Sequence, residues 1–414
     1  MPTPDMSFGG ASSHGRGHAL ALGILLVLIG VCVTVALRGH EPRIVGDVNW
    51  YLHFMRVVAA DGAGSFPRLF ADWLADPGAW ISPSPLRVGF ILTSAGFARV
   101  FGSGPEALLA LSVASFCACV VVNWAFASRR MAPLPAFLLG ALLLFSPLWL
   151  GLARHLLADS FTTLCLSVSV WTFLHLVETP ASRRAWVVFV LAFAWTILVK
   201  EVTVLLAAPL GLFVMVERFV RRTPLPLVRL GLALVLPPVV AVAVMALAAG
   251  GVGPMLEMVR IVLTSPATNV YAQKFCSGPW YRYLIDFLCF SPWVTVLAFL
   301  GAGGVVARWR AGEYPRGHVY FGMLFAVLLL EHSFLVKNVR YVTLLEVPLR
   351  SFALFFVFDV LGRTKRAGVL VTLVVVVLCA LDWMTFQRLW VDGNLYDPTT
   401  PRLLGLRDML PWKW

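Results

Sequence analysis

Charge is scarce in this sequence. Only 13% of its 414 residues are Asp, Glu, Lys or Arg, about half the share of a soluble domain, so most of its surface cannot be facing water. No polar stretch is long enough to fold as a separate globular domain. Metal-ligand spacings are missing as well: there is no CxxC and no HExxH, and no metal site is predicted, although carboxylates beside a phosphate can recruit a divalent cation. The P-loop and GxGxxG fingerprints of nucleotide binding are absent too. The balance of 33 basic against 21 acidic residues gives +12, but the basic residues are not pooled in one patch. They sit in short clusters between apolar runs, which is the positive-inside pattern and excludes a nucleic-acid partner. Of the seven cysteines, five fall in apolar segments as small hydrophobes, and the spacing of Cys276 and Cys289 compels no bond.

What is present is apolar surface. Hydrophobic residues make up 59% of the chain and the mean hydropathy is +0.84. Runs long enough to cross a hydrocarbon core of ~30 Å recur along its length. They read at roughly 19–38, 86–101, 106–127, 133–150, 160–177, 186–200, 203–219, 227–249, 284–307, 318–336, 341–360 and 367–385. Basic joints at Arg129-Arg130, Arg183-Arg184, Arg218 with Arg221-Arg222, Arg308 with Arg310 and Arg316, and Arg363 to Arg366 belong to the cytoplasm. The joints between them carry acids and face outward. This parity makes 86–101, with Arg87 and Arg99, an interfacial or re-entrant segment rather than a crossing.

The predicted fold is therefore all-α and integral to the membrane, with about eleven transmembrane helices. Residues 1–18 form a cytoplasmic segment, 19–385 the polytopic domain and 386–414 an outer-face tail ending in the interfacial anchors Trp412 and Trp414. Two outer loops are long, 39–85 and 250–283. Within the first, 48–59 and 66–75 space aromatic and aliphatic residues as amphipathic helices lying in the interface do.

Ionisable groups near membrane depth are costly and mark function by default. The parity places Asp47, Arg154 with Asp159, Lys200-Glu201, and Glu331-His332 with Lys337, Arg340 and Tyr341 on one outer face. Carboxylates and cations together suit group transfer from a lipid phosphate: a carboxylate takes the proton of an attacking hydroxyl, and Arg or Lys holds the phosphate that leaves. Each residue has a plainer reading. Asp47 and Asp159 both stand where helix N-caps stand. Arg154, His155 and Lys200 are placed to snorkel. Glu331 and His332 can pair with one another or with Lys337, and Glu346 with Arg350 is an i,i+4 ion pair.

The order of these parts resembles the GT-C superfamily of polyprenyl-phosphate-sugar-dependent glycosyltransferases, near the protein O-mannosyltransferases and the lipid A aminoarabinose transferases. The matching elements are Asp47 in Gly46-Asp47-Val48-Asn49, Ser82-Pro83-Ser84-Pro85-Leu86, Arg129-Arg130, Ser146-Pro147, Ala153-Arg154 to Asp159, Val199-Lys200-Glu201, and Arg340-Tyr341 with Pro348. The His of the family's His-Pro-Pro-Leu-like element is missing here, and Glu346 stands where apolar residues are usual. The resemblance spans about residues 20–360. It implies an inverting transfer with Asp47 as general base, Asp159 and Glu201 as further catalytic carboxylates, and Arg154, Lys200, Lys337, Arg340, Tyr341, Glu331 and His332 on the substrates. It also implies a lipid-linked sugar as donor and a lipid-linked glycan, polysaccharide or protein as acceptor. The compartment expected is a bacterial inner membrane with the site facing the periplasm, with a eukaryotic reticulum membrane and a lumenal site as the alternative. A transporter of lipids or lipid-linked sugars is the alternative, and it predicts similar halves with broken helices, of which the sequence has no internal repeat.

Overall fold

The computed structural model describes residues 15–404 apart from Ser82, Thr268 and Arg363. The readings on residues 1–14, Ser82, Arg363, Trp412 and Trp414 lie outside the described residues.

The described chain is helical throughout, without a strand. Helix α1 (Gly15–Leu37) is the apolar first span. The first long loop folds into α2 (Asp47–Asp61) and α3 (Phe66–Ala75), close to the predicted 48–59 and 66–75. Their buried faces recur at helical spacing: Val48, Tyr51, Leu52, Met55 and Val58 in α2, and Phe66, Leu69, Phe70 and Trp73 in α3. Helix α4 (Val88–Phe101) has 14 residues, too few to cross. Next come α5 (Pro105–Ala127), α6 (Pro133–Leu144) and α7 (Pro147–Ala153). The last two were predicted as one span, but the chain bends by 56° between them. Pro147 has no N–H to continue the ladder and instead opens a new helix at its first position.

Helices α8 (Asp159–Glu178) and α9 (Arg183–Val199) follow, then a 3-10 turn over Glu201–Leu206 that runs into α10 (Ala207–Met215). After α11 (Leu227–Ala248), the second long loop holds α12 (Val252–Thr264) and α13 (Val270–Phe275). The span predicted over 284–307 is divided at Ser291 into a short amphipathic α14 (Arg282–Phe290) and α15 (Pro292–Arg310). The chain closes with α16 (Arg316–Ser333), α17 (Glu346–Leu361), α18 (Ala367–Phe386) and a short α19 (Thr400–Leu403).

Among the described residues, seven helices are long and apolar enough to cross a membrane, or eight with the bent pair counted as one span. The further crossings in the predicted count of about eleven correspond to α9, α16 and α17. At 17 and 16 residues, α9 and α17 are shorter, and α16 carries Arg316, His318, Glu331 and His332.

The chain forms two compact units. The first comprises 41–116 and 152–277 and the other, among the described residues, 15–40, 117–151 and 278–404. In the first unit, α8 and α9 pack together through the Ser169 and Thr196 hydroxyls, 2.9 Å apart, and the Phe173 and Phe189 rings, 4.9 Å apart. In the other unit, α15 packs on α17 so closely that a Cβ on Gly301 would stand 2.1 Å from the Phe352 carbonyl oxygen. Only glycine allows that approach.

Candidate functional site

In the first unit, α2, α4, α8 and α9 bring the acidic and basic motifs together. Helix α4 packs against both α2 and α9. At its start, a Cβ on Gly89 would meet the Leu198 carbonyl carbon at 3.0 Å and the Val199 nitrogen at 3.1 Å. This close approach sets Arg87, just before α4, beside the residues that follow α9. Its guanidinium meets the Glu201 carboxylate with both arms, Nε to Oε2 at 3.3 Å and Nη2 to Oε1 at 3.4 Å, and donates a third bond to the Tyr51 hydroxyl. The planar fork of arginine matches a carboxylate in this way and lysine does not. Burial pushes the Tyr51 phenol well above its ordinary value, so it stays protonated.

The Lys200 Nζ donates to Asp159 Oδ1 at 2.7 Å, and both side chains are almost fully buried. Asp159 is the first residue of α8, and it ties the start of that helix to the end of α9. The cap reading of Asp159 and the snorkel reading of Lys200 thus give way to a buried ion pair. Arg154 and His155 are buried in the turn between α7 and α8. Burial lowers the pKa of the Arg154 guanidinium.

Asp47 differs from these. It is the first residue of α2, half-exposed, and makes no side-chain cap bond. No hydrogen bond or ion pair engages its carboxylate among the described residues. Asp47 and Tyr51 stand one helical turn apart, on one face of α2.

The remaining predicted residues belong to the other unit. Arg340 Nε lies 3.6 Å from Asp397 Oδ1, and the Asn338 amide donates to the same oxygen at 3.0 Å while its carbonyl oxygen accepts from the Arg340 backbone N–H. Lys337 is buried and has no partner among the described residues. Burial first, and then the Arg282 guanidinium, push its ammonium below its ordinary value. His332 Nδ1 bonds the Leu328 carbonyl at 2.8 Å. Glu331 and Tyr341 are half-buried. The Glu346–Arg350 pair forms at 2.9 Å, and Asp382 adds a second carboxylate to Arg350 at 2.7 Å. Ser146 donates to Glu346 and Arg350 donates to Ser291.

Sequence reasoning missed Arg87, Tyr51, Asp397 and Asp382 as partners. Asp382 carried a signal, as a lone acid in the apolar run 367–385. Arg87 was read only as a charge that kept 86–101 out of the membrane. Among the described residues, no group of three or more His, Cys, Asp or Glu could hold a metal ion.

With this geometry in view, residues 85–245 match the family described as dolichyl-phosphate-mannose-protein mannosyltransferase. That range covers Arg87, Arg154, Asp159, Lys200 and Glu201. No curated protein matches. The fold is similar to that of the crystal structure of ArnT from Cupriavidus metallidurans bound to undecaprenyl phosphate, with 18% identity and a TM-score of 0.52. The apo form of the same protein gives 16% and 0.50. The chain aligns over 87% and 89% of its own length with these two structures, and spans 63% and 72% of theirs. The match over residues 85–245 and the shared fold agree with the resemblance to the GT-C superfamily that the motif order carries.

Proposed function

We propose that the protein moves a sugar from a polyprenyl-phosphate donor to a hydroxyl of an envelope acceptor, with inversion, and that Asp47 is the general base. The observation that carries this reading is the unengaged Asp47 carboxylate, one turn from Tyr51 and its Arg87–Glu201 clamp. The acceptor oxygen attacks the anomeric carbon, its proton passes to Asp47, and the bond from that carbon to the phosphate oxygen breaks. The electron pair leaves on the polyprenyl phosphate. Arg154 and the Lys200–Asp159 pair supply positive and hydrogen-bonding groups for that growing charge. Glu201 holds Arg87 in place, and it has the further catalytic role that the motif order assigns to it. Lys337, Arg340, Tyr341, Glu331 and His332 keep the substrate-binding roles that the motif order implies. The ArnT structure with undecaprenyl phosphate supports a lipid-linked donor here. The acceptor class is a lipid-linked glycan, a polysaccharide or a protein, and the compartment is a bacterial inner membrane with the site on its periplasmic side.

The test is a panel of radiolabelled polyprenyl-phosphate sugars given to the protein in lipid nanodiscs. Release of polyprenyl phosphate that depends on one donor supports the reading. A folded protein that neither binds nor turns over any donor contradicts it.

A further inference from the structure

Segment 394–403, which the sequence marks only as part of a tail, lies against charged side chains of α14 and of the turn after α16. The end of α18 widens into a π-helical turn over Gln387–Asp392, and Asn394 then takes a left-handed φ of +45°, a conformation that asparagine tolerates better than most residues. Asp397 precedes Pro398, which biases it toward an extended backbone, and Thr399 is extended as well. The short α19 packs against α14. Asp397, Thr399 and Thr400 are all buried.

Two side chains of this segment each meet an arginine. Asp397 Oδ1 lies 3.6 Å from Arg340 Nε and accepts from the Asn338 amide at 3.0 Å, and the Asn338 carbonyl oxygen accepts from the Arg340 backbone N–H at 3.1 Å. Arg340 is thus held by its side chain and its backbone at once. The Thr400 hydroxyl accepts from Arg282 Nε and donates to Asp286 Oδ1 at 2.6 Å. Arg282 is in turn a neighbour of Lys337: after burial, its charge is what pushes the Lys337 ammonium below its ordinary value. The segment therefore fixes one cation beside Lys337 and another three residues beyond it. With Asp286 and Asp397 both ionised, Arg282, Lys337 and Arg340 still leave an excess of positive charge. Lys337 is buried without a partner among the described residues, and a buried charge calls for a counter-charge.

We propose that Asp397 and Thr400 are positioning residues: through Arg340 and Arg282 they preset the cationic group that receives the phosphate of the lipid-linked donor. This rests on the reading above that Lys337 and Arg340 contact the substrate. The planar guanidinium recognises a phosphate only in a fixed orientation, and one already held in place loses less freedom on binding than one that must first be ordered. Neither Asp397 nor Thr400 needs to touch the donor for this. Each acts through the arginine it holds, and each also ties that arginine to a second polar group, Asn338 in one case and Asp286 in the other.

The test measures the Kd of tritiated undecaprenyl phosphate for the full chain in phosphatidylcholine nanodiscs, with a melting curve for each variant. Asp397→Ala and Thr400→Val remove the two contacts, whereas Asp397→Asn and Thr400→Ser keep the acceptor oxygen and the hydroxyl. The proposal expects a Kd about 10-fold higher in the first two and within about 2-fold of wild type in the second two, whatever the melting temperatures. Each pair decides for its own residue, so one variant that fails to fold leaves the other pair to be read. An unchanged Kd in Asp397→Ala and Thr400→Val, with or without lost stability, would make the segment a structural seat alone and overturn the proposal. Tighter binding by Asp397→Ala would overturn it too, by showing that the carboxylate competes with the phosphate. Wild type that binds no undecaprenyl phosphate would instead contradict the donor reading itself, and this inference would fall with it.

Discussion

At the scale of single residues, the Asp47 carboxylate has no hydrogen-bond or ion-pair partner among the described residues, whereas Asp159 and Glu201 are already paired. Asp47→Asn keeps the shape and removes the proton acceptor, so transfer should fall by about 10²–10⁴-fold. Donor binding and thermal stability should be unchanged, as read by donor titration and a melting curve of the purified protein. The Asp159–Lys200 pair behaves differently. Lys200→Met alone strands a buried carboxylate, and we expect a loss of about 3–5 kcal/mol in stability, with most of it recovered when Asp159→Leu is added. Unfolding of the three variants in mixed micelles measures this. If Lys200→Met is as stable as the parent, the pair is not buried as described.

Burial also sets a pH dependence away from the candidate site. Asp286, on the short helix before α15, accepts from the Thr400 hydroxyl at 2.6 Å. Burial pushes its carboxyl from 3.8 up to about 7. The folded protein thus binds a proton there more tightly than the unfolded chain. The stability from this group is fully present below pH 3.8 and is lost as pH rises through about 7. The pH profile of unfolding should slope down over that window, and Asp286→Asn should remove that part of the slope. An unchanged slope in the variant would assign the dependence elsewhere.

At the scale of elements, helix α4 is the piece that the charged motifs depend on. Gly89 touches the backbone at the end of α9 at 3.0–3.1 Å, and any added side chain has rigid atoms to displace. Gly89→Val should cost about 1–3 kcal/mol and separate Arg87 from Glu201. Donor turnover should then drop along with stability. By contrast Gly96, which has open space around it, should accept Ala with little effect on either readout. The first-loop helices were legible in the sequence because their apolar residues recur at helical spacing, and α2 and α3 lie where that spacing placed them. The break at Ser146-Pro147 was written as a motif but not read as a bend, since composition is apolar on both sides and only the missing N–H of Pro147 decides it. The division of the span at Ser291 was hidden for the same reason.

At the scale of the whole molecule, composition alone identified a helical membrane protein, and the charge pattern located the joints between its spans. The number of crossings was less legible. Helix α17 is largely buried among other helices and α9 is buried along one face, and a buried surface needs neither the length nor the purely apolar face of one in lipid. Arg350 with Glu346 and Asp382 shows the same tolerance, since charge persists inside the bundle where it is paired. The acidic and basic motifs of the candidate site stood out in the sequence, but their pairings did not. Asp159 with Lys200 lie 41 positions apart and Arg87 with Glu201 lie 114 apart, and no local pattern records a contact at such distances.

The most direct test of the account is a single-turnover experiment with a donor that the panel selects. Wild type and Asp47→Asn, both in nanodiscs and both saturated with that donor, are mixed with acceptor and the transferred sugar is followed in time. The account predicts that the variant binds the donor as wild type does, yet transfers its sugar at least about 100-fold more slowly. Transfer by Asp47→Asn at the wild-type rate would contradict it, and would remove Asp47 from the chemistry.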